Sequence, residues 1–478
     1  MEGGAPMSGS VSGRVLKAMA IFGGVRMLQI IFGVVRTKLI AIWLGPAGVG
    51  LFGIFNGAVD TVRTLSQLGM RSSAVRDIAS QPSPAARSMM VGVVRGWGWM
   101  LGVFGAVLMA AAAPLLSRWT FGDGSHTLSY MALAGVLFFL SVANAEEAVM
   151  QGLGALGSLA KASVWGAVAG LVVSVPMYYF WGLDSVVPSI IAYSLATCVA
   201  TTCFRPRVVP PSGLSMGETL SRGRRFIILG LYMTAADFTV QALSYVFIAW
   251  LNHRGGDTAV GFYQAGYTMV NRYVGLIFTA LATEYYPRLA SVVASRRRLN
   301  VYVGHEMMVI LLMLLPAVTV FISLAPWIVR LLYDSQFTPI VPFITVAMAG
   351  VVLRGVSYCM SYVILAKGDG VTFLMTESLS GVAGLALNIV CYKEWGIAGL
   401  GVSYTLWYLL YVLIVGIAYR VRYRLTLPMR PLLFASLIFA ITVGSIVLAG
   451  TVGSLAVLPI GIVAGAVSLV RLKGLIMQ

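Results

Sequence analysis

The sequence predicts an all-α polytopic membrane protein. Of its 478 residues 59% are hydrophobic and only 10% are charged, against about 25% charged in soluble domains. Apolar runs of about 20 residues recur along nearly the whole chain, each long enough to cross about 30 Å of hydrocarbon. The short alternating segments of a membrane β-barrel are not seen, so helices are the structures that can satisfy the backbone in lipid.

About fourteen spans are expected, near 15–43, 48–70, 89–116, 128–150, 160–181, 186–204, 224–251, 259–285, 303–324, 341–366, 372–392, 397–419, 432–450 and 453–471. The first is too long for a cleavable signal peptide, and no small-residue cleavage site follows it. Cys198, Cys203, Cys359 and Cys391 sit in apolar runs without CxxC spacing and read as small core residues.

The net charge of +17 invites a nucleic-acid reading. Its distribution points elsewhere. One set of connections carries Arg71, Arg76 and Arg87, then Arg205, Arg207, Arg222, Arg224 and Arg225, then Arg288 and Arg296–Arg298, then Arg420, Arg422, Arg424 and Arg430. The opposite set holds only Arg118, Arg254, Arg330 and Lys393. The positive-inside rule then places both termini in the cytoplasm of a multi-pass protein. The charge faces anionic lipid, and no nucleic acid is needed to explain it. The segment 286–302, "YPRLASVVASRRRLNVY", reads as a basic loop on the cytoplasmic leaflet in preference to the alternative of an amphipathic surface helix.

The chain repeats itself. "AGVGLFGIFNGAVDTVRTLSQLGMRSSAVRDIAS" (47–80) aligns with "TAVGFYQAGYTMVNRYVGLIFTALATEYYPRLAS" (258–291), matching Val49-Gly50 with Val260-Gly261 and Asp60 with Asn271. Trp181-Gly182 matches Trp395-Gly396 more weakly. The expected division is an N-terminal lobe of six spans (1–204), a Pro- and Arg-rich cytoplasmic linker (205–223), a C-terminal lobe of six spans (224–420) and a two-span appendage (421–478). Six spans per half gives both lobes one orientation, with the symmetry axis along the membrane normal. Two lobes joined by one linker suit alternating access.

Seven cations remain inside spans: Arg26, Arg36, Lys38, Arg63, Arg95, Arg272 and Arg354. Insertion scales put each at about 2.5–3.5 kcal/mol unfavourable at a helix centre, so water, a partner or a substrate must receive them. Arg26, Gln29, Gly33 and Arg36 form one helical stripe, and Asn56, Asp60, Arg63 and Gln67 form another. Asp237, Gln241 and Ser244 share a face, as do Gln264, Thr268 and Asn271, with Tyr267 and Arg272 at the flanks. Arg354 heads a face with Ser357, Tyr358 and Ser361, and Glu377 one with Gly381, Gly384 and Asn388. The stripes on spans 1, 2, 7 and 8 suggest one shared polar cavity. Plainer readings stand beside that. Lys38 and Arg95 read as snorkelling end residues, Asp60 with Arg63 as an internal pair, and Arg354 as a partner for Glu377. Arg26 and Arg272 have no acid one turn away on their own helices. Cationic excess in a wet cavity favours an anionic substrate, and paired arginine donors suit phosphate oxygens.

"KLIAIWLGPAGVGLFGIFN" followed by "LGMRSSAVRDIAS" resembles the first two helices of bacterial lipid-linked oligosaccharide flippases. These form the polysaccharide-transport branch of the multidrug/oligosaccharidyl-lipid/polysaccharide exporter superfamily. "LLYDSQFTPIVPFITVAMAGVVLRGVSYCMSYVILAKGDGVTFLMTE" (331–377) resembles that family's spans 9 to 11, and the likeness covers roughly residues 14–420. It implies a V-shaped, two-lobed fold with a cationic central cavity. The substrate implied is an undecaprenyl-diphosphate-linked repeat unit of O-antigen, capsule or exopolysaccharide. It implies a bacterial inner membrane, and partnership with a polysaccharide polymerase and chain-length-control proteins. Arg26 and Arg354 fall where relatives carry inward cations. Arg63 and Arg272 join them by helical stripe, as the expected diphosphate contacts. Gln29, Arg36, Asn56, Asp60, Gln67, Gln241, Tyr267 and Asn271 are the expected polar lining.

No enzyme, cofactor or metal is expected. Na+ or H+ is the candidate coupling ion, with Asp60, Asp237 or Glu377 as its carboxylate. Three rivals are weighed. A lipid II flippase would share the diphosphate site. A multidrug/cation antiporter would want an acid-dominated cavity. A membrane polymerase or ligase would want catalytic residues in a large outer loop, and none here exceeds about fifteen residues. "GLGALG" (152–157) matches GxGxxG but follows a membrane helix, so it reads as a turn rather than a dinucleotide site.

Overall fold

Helix ends follow from local chemistry. Ser83 caps one helix by accepting from the Ala86 amide, with Pro84 at its first position. Asp369 caps another by accepting from Thr372 N at 3.1 Å. In the computed structural model, which describes residues 8–208, 216–273, 275–426 and 428–476, every long element is a helix, and no strand occurs among those residues. The side chains of Arg26 and Arg272 lie outside the described set.

The helices are α1 (Ser8–Gln67), α2 (Met70–Ala79), α3 (Pro84–Phe121), α4 (Thr127–Ala132), α5 (Ala134–Gly152), α6 (Leu156–Trp181), α7 (Val186–Cys203), α8 (Met216–Thr268), α9 (Gly275–Val292), α10 (Arg296–Leu332), α11 (Val341–Ala366), α12 (Gly370–Ile417), α13 (Met429–Thr451) and α14 (Leu458–Ile476). A π-helical turn, Met269–Tyr273, joins α8 to the approach of α9. Nine stretches among the described residues are long and apolar enough to cross a membrane. Three of them, Met27–Gln67, Leu156–Cys203 and Gly370–Arg422, have 41, 48 and 53 residues, enough for two crossings each.

Each of those three breaks at a left-handed glycine, and the breaks expose the repeat. Gly45 (φ 64, ψ −164) in α1 has its counterpart in Gly256 (φ 67, ψ −176) in α8. Gly182 (φ 56, ψ −135) after α6 has its counterpart in Gly396 (φ 59, ψ −143) in α12. L-residues with a β-carbon avoid this region. The weak Trp-Gly match of the sequence therefore marks one backbone turn made twice.

Two compact units are formed. The first holds α1 up to Leu44, its continuation from Leu51, and the chain to Arg254; the second holds Gly45–Gly50 and the chain from Gly255. In the first, Ile78, Val91, Val94, Trp97, Leu101, Ala145 and Val149 make a buried core among α2, α3 and α5. A β-carbon on Gly98 would collide with Ala145 Cβ, which shows how closely α3 and α5 approach. In the second, α10 and α11 are the central helices, with Leu311, Val318, Ile322, Val351 and Val352 fully buried. The last two helices lean on them, with Gly461 of α14 against Val320 and Thr319.

The structure departs from the sequence expectation at three places. Arg95 does not snorkel: it forms a two-point ion pair with buried Glu146, Nε to Oε1 at 2.8 Å and NH2 to Oε2 at 3.0 Å. Arg354 does not pair with Glu377: Arg354 bonds Asn271 and Tyr404, and Glu377 bonds Tyr411. The segment 286–302 is not a loop but the end of α9 and the start of α10, with Ser295 capping the latter. The GLGALG segment does turn between α5 and α6, with Gly154 at φ 70.

Candidate functional site

In the first unit, the continuation of α1 carries the stripe Asn56, Asp60, Arg63 and Gln67 on its half-buried face, while Ile54, Phe55, Ala58, Val59 and Val62 fill the buried one. Asp60 and Arg63 pair at 3.1 Å, each about one-third exposed. Asn56 turns its amide back to the Phe52 carbonyl at 2.7 Å. Gln67 accepts from Asn144 at 3.0 Å, and its own amide nitrogen is buried without a partner among the described residues. Thr61 reaches the Gln241 backbone carbonyl at 3.4 Å. Gln29 is half-buried and Asp237 is exposed.

Arg36 sits in an aromatic cage. Its Nε donates to the Tyr178 hydroxyl at 3.0 Å. Its guanidinium carbon lies 4.3 Å from the Tyr193 ring centroid and 4.6 Å from that of Phe52. Its NH2 is buried and has no hydrogen-bond partner among the described residues. Tyr178 and Tyr193 come from α6 and α7, which close approach at Gly170 brings together under the Tyr193 ring. The helical stripe located Arg36 but could not name these rings, which lie far away in sequence.

The second unit holds a comparable arrangement. Arg354 NH1 donates to Asn271 Oδ1 at 2.9 Å and to the Tyr404 hydroxyl at 3.3 Å. The Tyr404 hydroxyl donates to the same Asn271 oxygen at 3.3 Å. Phe278 and Tyr408 flank the guanidinium at 4.9 and 5.7 Å. Tyr267 is half-buried beside Tyr263, with ring centroids 5.5 Å apart. Glu377 accepts from the Tyr411 hydroxyl. The Tyr-rich run "YTLWYLLY" (404–411) was the available signal for this aromatic face, and the helical stripes passed over it because they tracked charge.

The expected residues therefore meet in two groups, Asp60 with Arg63 and Asn271 with Arg354. Arg26 and Arg272 lie outside the described side chains. No cluster of three or more His, Cys, Asp or Glu suited to a metal occurs among the described residues.

Comparison with known proteins places these features. The chain is 21% identical over 374 residues to the lipid III flippase of Escherichia coli (strain K12), which covers 73% of this chain and 85% of that one. The solved structure of the lipid II flippase MurJ in an inward closed conformation superposes with a TM-score of 0.67 at 14% identity, covering 96% of this chain and 100% of that one. An inward-facing multidrug resistance MATE family transporter of the MOP superfamily gives 0.65 at 16%, covering 85% and 98%. Identities this low establish the shared fold. Residues 39–342, about two-thirds of the chain, match the family described as polysaccharide biosynthesis protein, and the chain belongs to that family.

Proposed function

We propose that the chain is a flippase for a polyprenyl-diphosphate-linked oligosaccharide. It would carry an O-antigen, capsule or exopolysaccharide repeat unit from the cytoplasmic to the outer leaflet of a bacterial inner membrane, with both termini cytoplasmic. No covalent bond is made or broken. The observation that carries the reading is the pair of aromatic-caged arginines, Arg36 and Arg354, neither with a carboxylate partner among the described residues. A guanidinium kept half out of water and without an acid suits a phosphate. A transporter of cationic drugs would want the opposite charge there.

Arg26, Arg63 and Arg272 are assigned to direct contact with the diphosphate, and Arg36 and Arg354 to the positive charge that favours it. Asn56, Gln67 and Tyr267 are assigned to sugar hydroxyls. The lobes would rock to re-expose the headgroup, with Na+ or H+ driving the return. Asp60 is neutralised by Arg63 and Asp237 is exposed. Glu377, held by a neutral tyrosine, is the carboxylate best placed to exchange an ion. Glu377→Gln should uncouple transport from the ion gradient, and unchanged coupling removes the role. A polymerase and chain-length-control proteins are the expected partners in the membrane.

A lipid II flippase is the second reading, favoured by the 96% coverage of the MurJ fold. Proteoliposomes decide between them. Leaflet exchange of a fluorescent undecaprenyl-diphosphate oligosaccharide supports the first. Exchange of lipid II alone selects the second. Exchange of neither, with uptake of a cationic drug, rejects both.

A further inference from the structure

At the Arg354 cluster of the second unit the geometry points to the amide nitrogen of Asn271 as a donor to a phosphoryl oxygen, with Arg354 and Tyr404 holding the amide in place and Arg354 leaving its positive charge uncompensated. This deepens the flippase reading and rests on it. A guanidinium has N–H donors and no acceptor. Arg354 NH1 lies 2.9 Å from one end of the Asn271 amide, so that end is the oxygen. The Tyr404 hydroxyl donates to the same oxygen at 3.3 Å. The amide cannot rotate without facing N–H against N–H. Its nitrogen is thereby aimed away from Arg354, and it is buried with no partner among the described residues.

Asn271 also sits within the π-helical turn Met269–Tyr273. Such turns are rare, cost hydrogen-bond geometry, and occur disproportionately at functional sites.

The repeat supplies the comparison. Asp60 is the position equivalent to Asn271, and it too offers an oxygen to an arginine, Arg63. In the first unit the pair is an acid with a base, so its charges cancel. In the second the acid is replaced by its amide, so Arg354 keeps its charge and the amide gains two N–H donors. An aspartate at 271 would satisfy Arg354 equally well. The amide differs from it in offering donors and in leaving a net positive charge, and both favour an acceptor-rich anion.

The test uses full-length protein in detergent and native mass spectrometry with undecaprenyl diphosphate lacking any glycan. Wild type should retain the lipid. Asn271→Asp should weaken retention at least tenfold with an unchanged thermal midpoint, because its carboxylate can still accept from Arg354. Arg354→Met should weaken it less, Arg354→Lys should restore it in part, and Asn271→Ala/Arg354→Met should be no worse than Asn271→Ala. Equal retention by Asn271→Asp and wild type would overturn the assignment while leaving the flippase reading intact. So would a loss seen only with glycan-bearing lipid, which would make the partner a sugar. No retention by wild type would overturn the flippase reading and this assignment together.

Discussion

Gly50 and Gly261 lie back to back: a β-carbon on Gly50 would sit 3.0 Å from the Gly261 amide nitrogen, and one on Gly261 3.1 Å from the Gly50 amide nitrogen. Each would also land on a carbonyl oxygen of the opposite segment, that of Asp257 for Gly50 and that of Pro46 for Gly261. The two glycines occupy equivalent positions in the repeat, and so do Pro46 and Asp257. The contact is therefore made once in each direction, backbone to backbone, just after the matched kinks at Gly45 and Gly256.

The first prediction follows from that reciprocity. Alanine gains about 1 kcal/mol over glycine in a helix interior. Overpacking costs about 1–3 kcal/mol, and more where the obstacle is backbone that cannot change rotamer. The steric term wins at Gly50 and Gly261. Gly50→Ala and Gly261→Ala should each lower the thermal unfolding midpoint in detergent. Gly416 and Gly444, with nothing within 4 Å of an added β-carbon, are the controls, and alanine there should be neutral or stabilising. An unchanged midpoint for Gly50→Ala would contradict the close approach.

A second prediction concerns Glu146. It is 4% exposed at its side chain and receives Arg95 at two points and Arg205 at 3.4 Å. Arg95 also donates to the Val208 carbonyl at 3.1 Å, which ties the segment after α7 to α3. Removing one partner of a buried ion pair costs about 3–5 kcal/mol, whereas replacing both by apolar groups is often near neutral. Glu146→Ala should therefore be severely destabilising, and Arg95→Met/Glu146→Met much less so. The double-mutant cycle in thermal denaturation measures the coupling. Additive losses would mean the pair is incidental.

A third prediction is the pH response of the α12 N-terminus. The Thr372 amide and hydroxyl, then Tyr423 and Arg422, bond the Asp369 carboxylate and hold its pKa down from 3.8 to about 2. A carboxyl depressed in the folded state contributes stability above its unfolded value and loses it as pH falls through its folded value. The contribution should be intact at pH 5 and disappear between about pH 4 and pH 2. Replacing a capping aspartate by alanine costs about 1 kcal/mol. Asp369→Ala should be less stable than wild type at pH 7, and the two should converge as pH falls toward 2. A constant difference across that range would assign the cap no charge component.

Much of the architecture was legible because it is written in periods. Apolar runs marked the spans. The matched Trp-Gly pairs coincide with the backbone turns at Gly182 and Gly396, and the matched Val-Gly pairs lie just past those at Gly45 and Gly256. Stripes at helical spacing put Asn56, Asp60, Arg63 and Gln67 on one half-buried face. Partnerships between helices were not legible. Periodicity tells which way a side chain points, not what stands opposite. Arg95 looked like an end residue because its acid, Glu146, lies on another helix. Arg354 and Glu377 looked like a pair because they are the charges of adjacent spans, yet tyrosines take both.

The final prediction separates stability from function at Arg36. Its gains from the fold are one hydrogen bond to Tyr178 and two ring faces. A cation over a desolvated ring contributes about 2 kcal/mol. Against that stands several kcal/mol for taking a charge out of water with no acid beside it and one nitrogen unbonded. The balance is unfavourable, so the fold would do as well or better without the charge. Arg36→Met should leave the thermal midpoint unchanged or raise it. If the guanidinium serves a diphosphate, the same variant should bind undecaprenyl diphosphate at least tenfold more weakly, a loss of about 1.4 kcal/mol. Tyr178→Phe should show a smaller version of the same effect. A site kept for function at the expense of stability moves the two readouts in opposite directions. A substitution that lowers both the midpoint and the affinity would mark Arg36 as a structural residue and leave the anion to Arg63 and its neighbours.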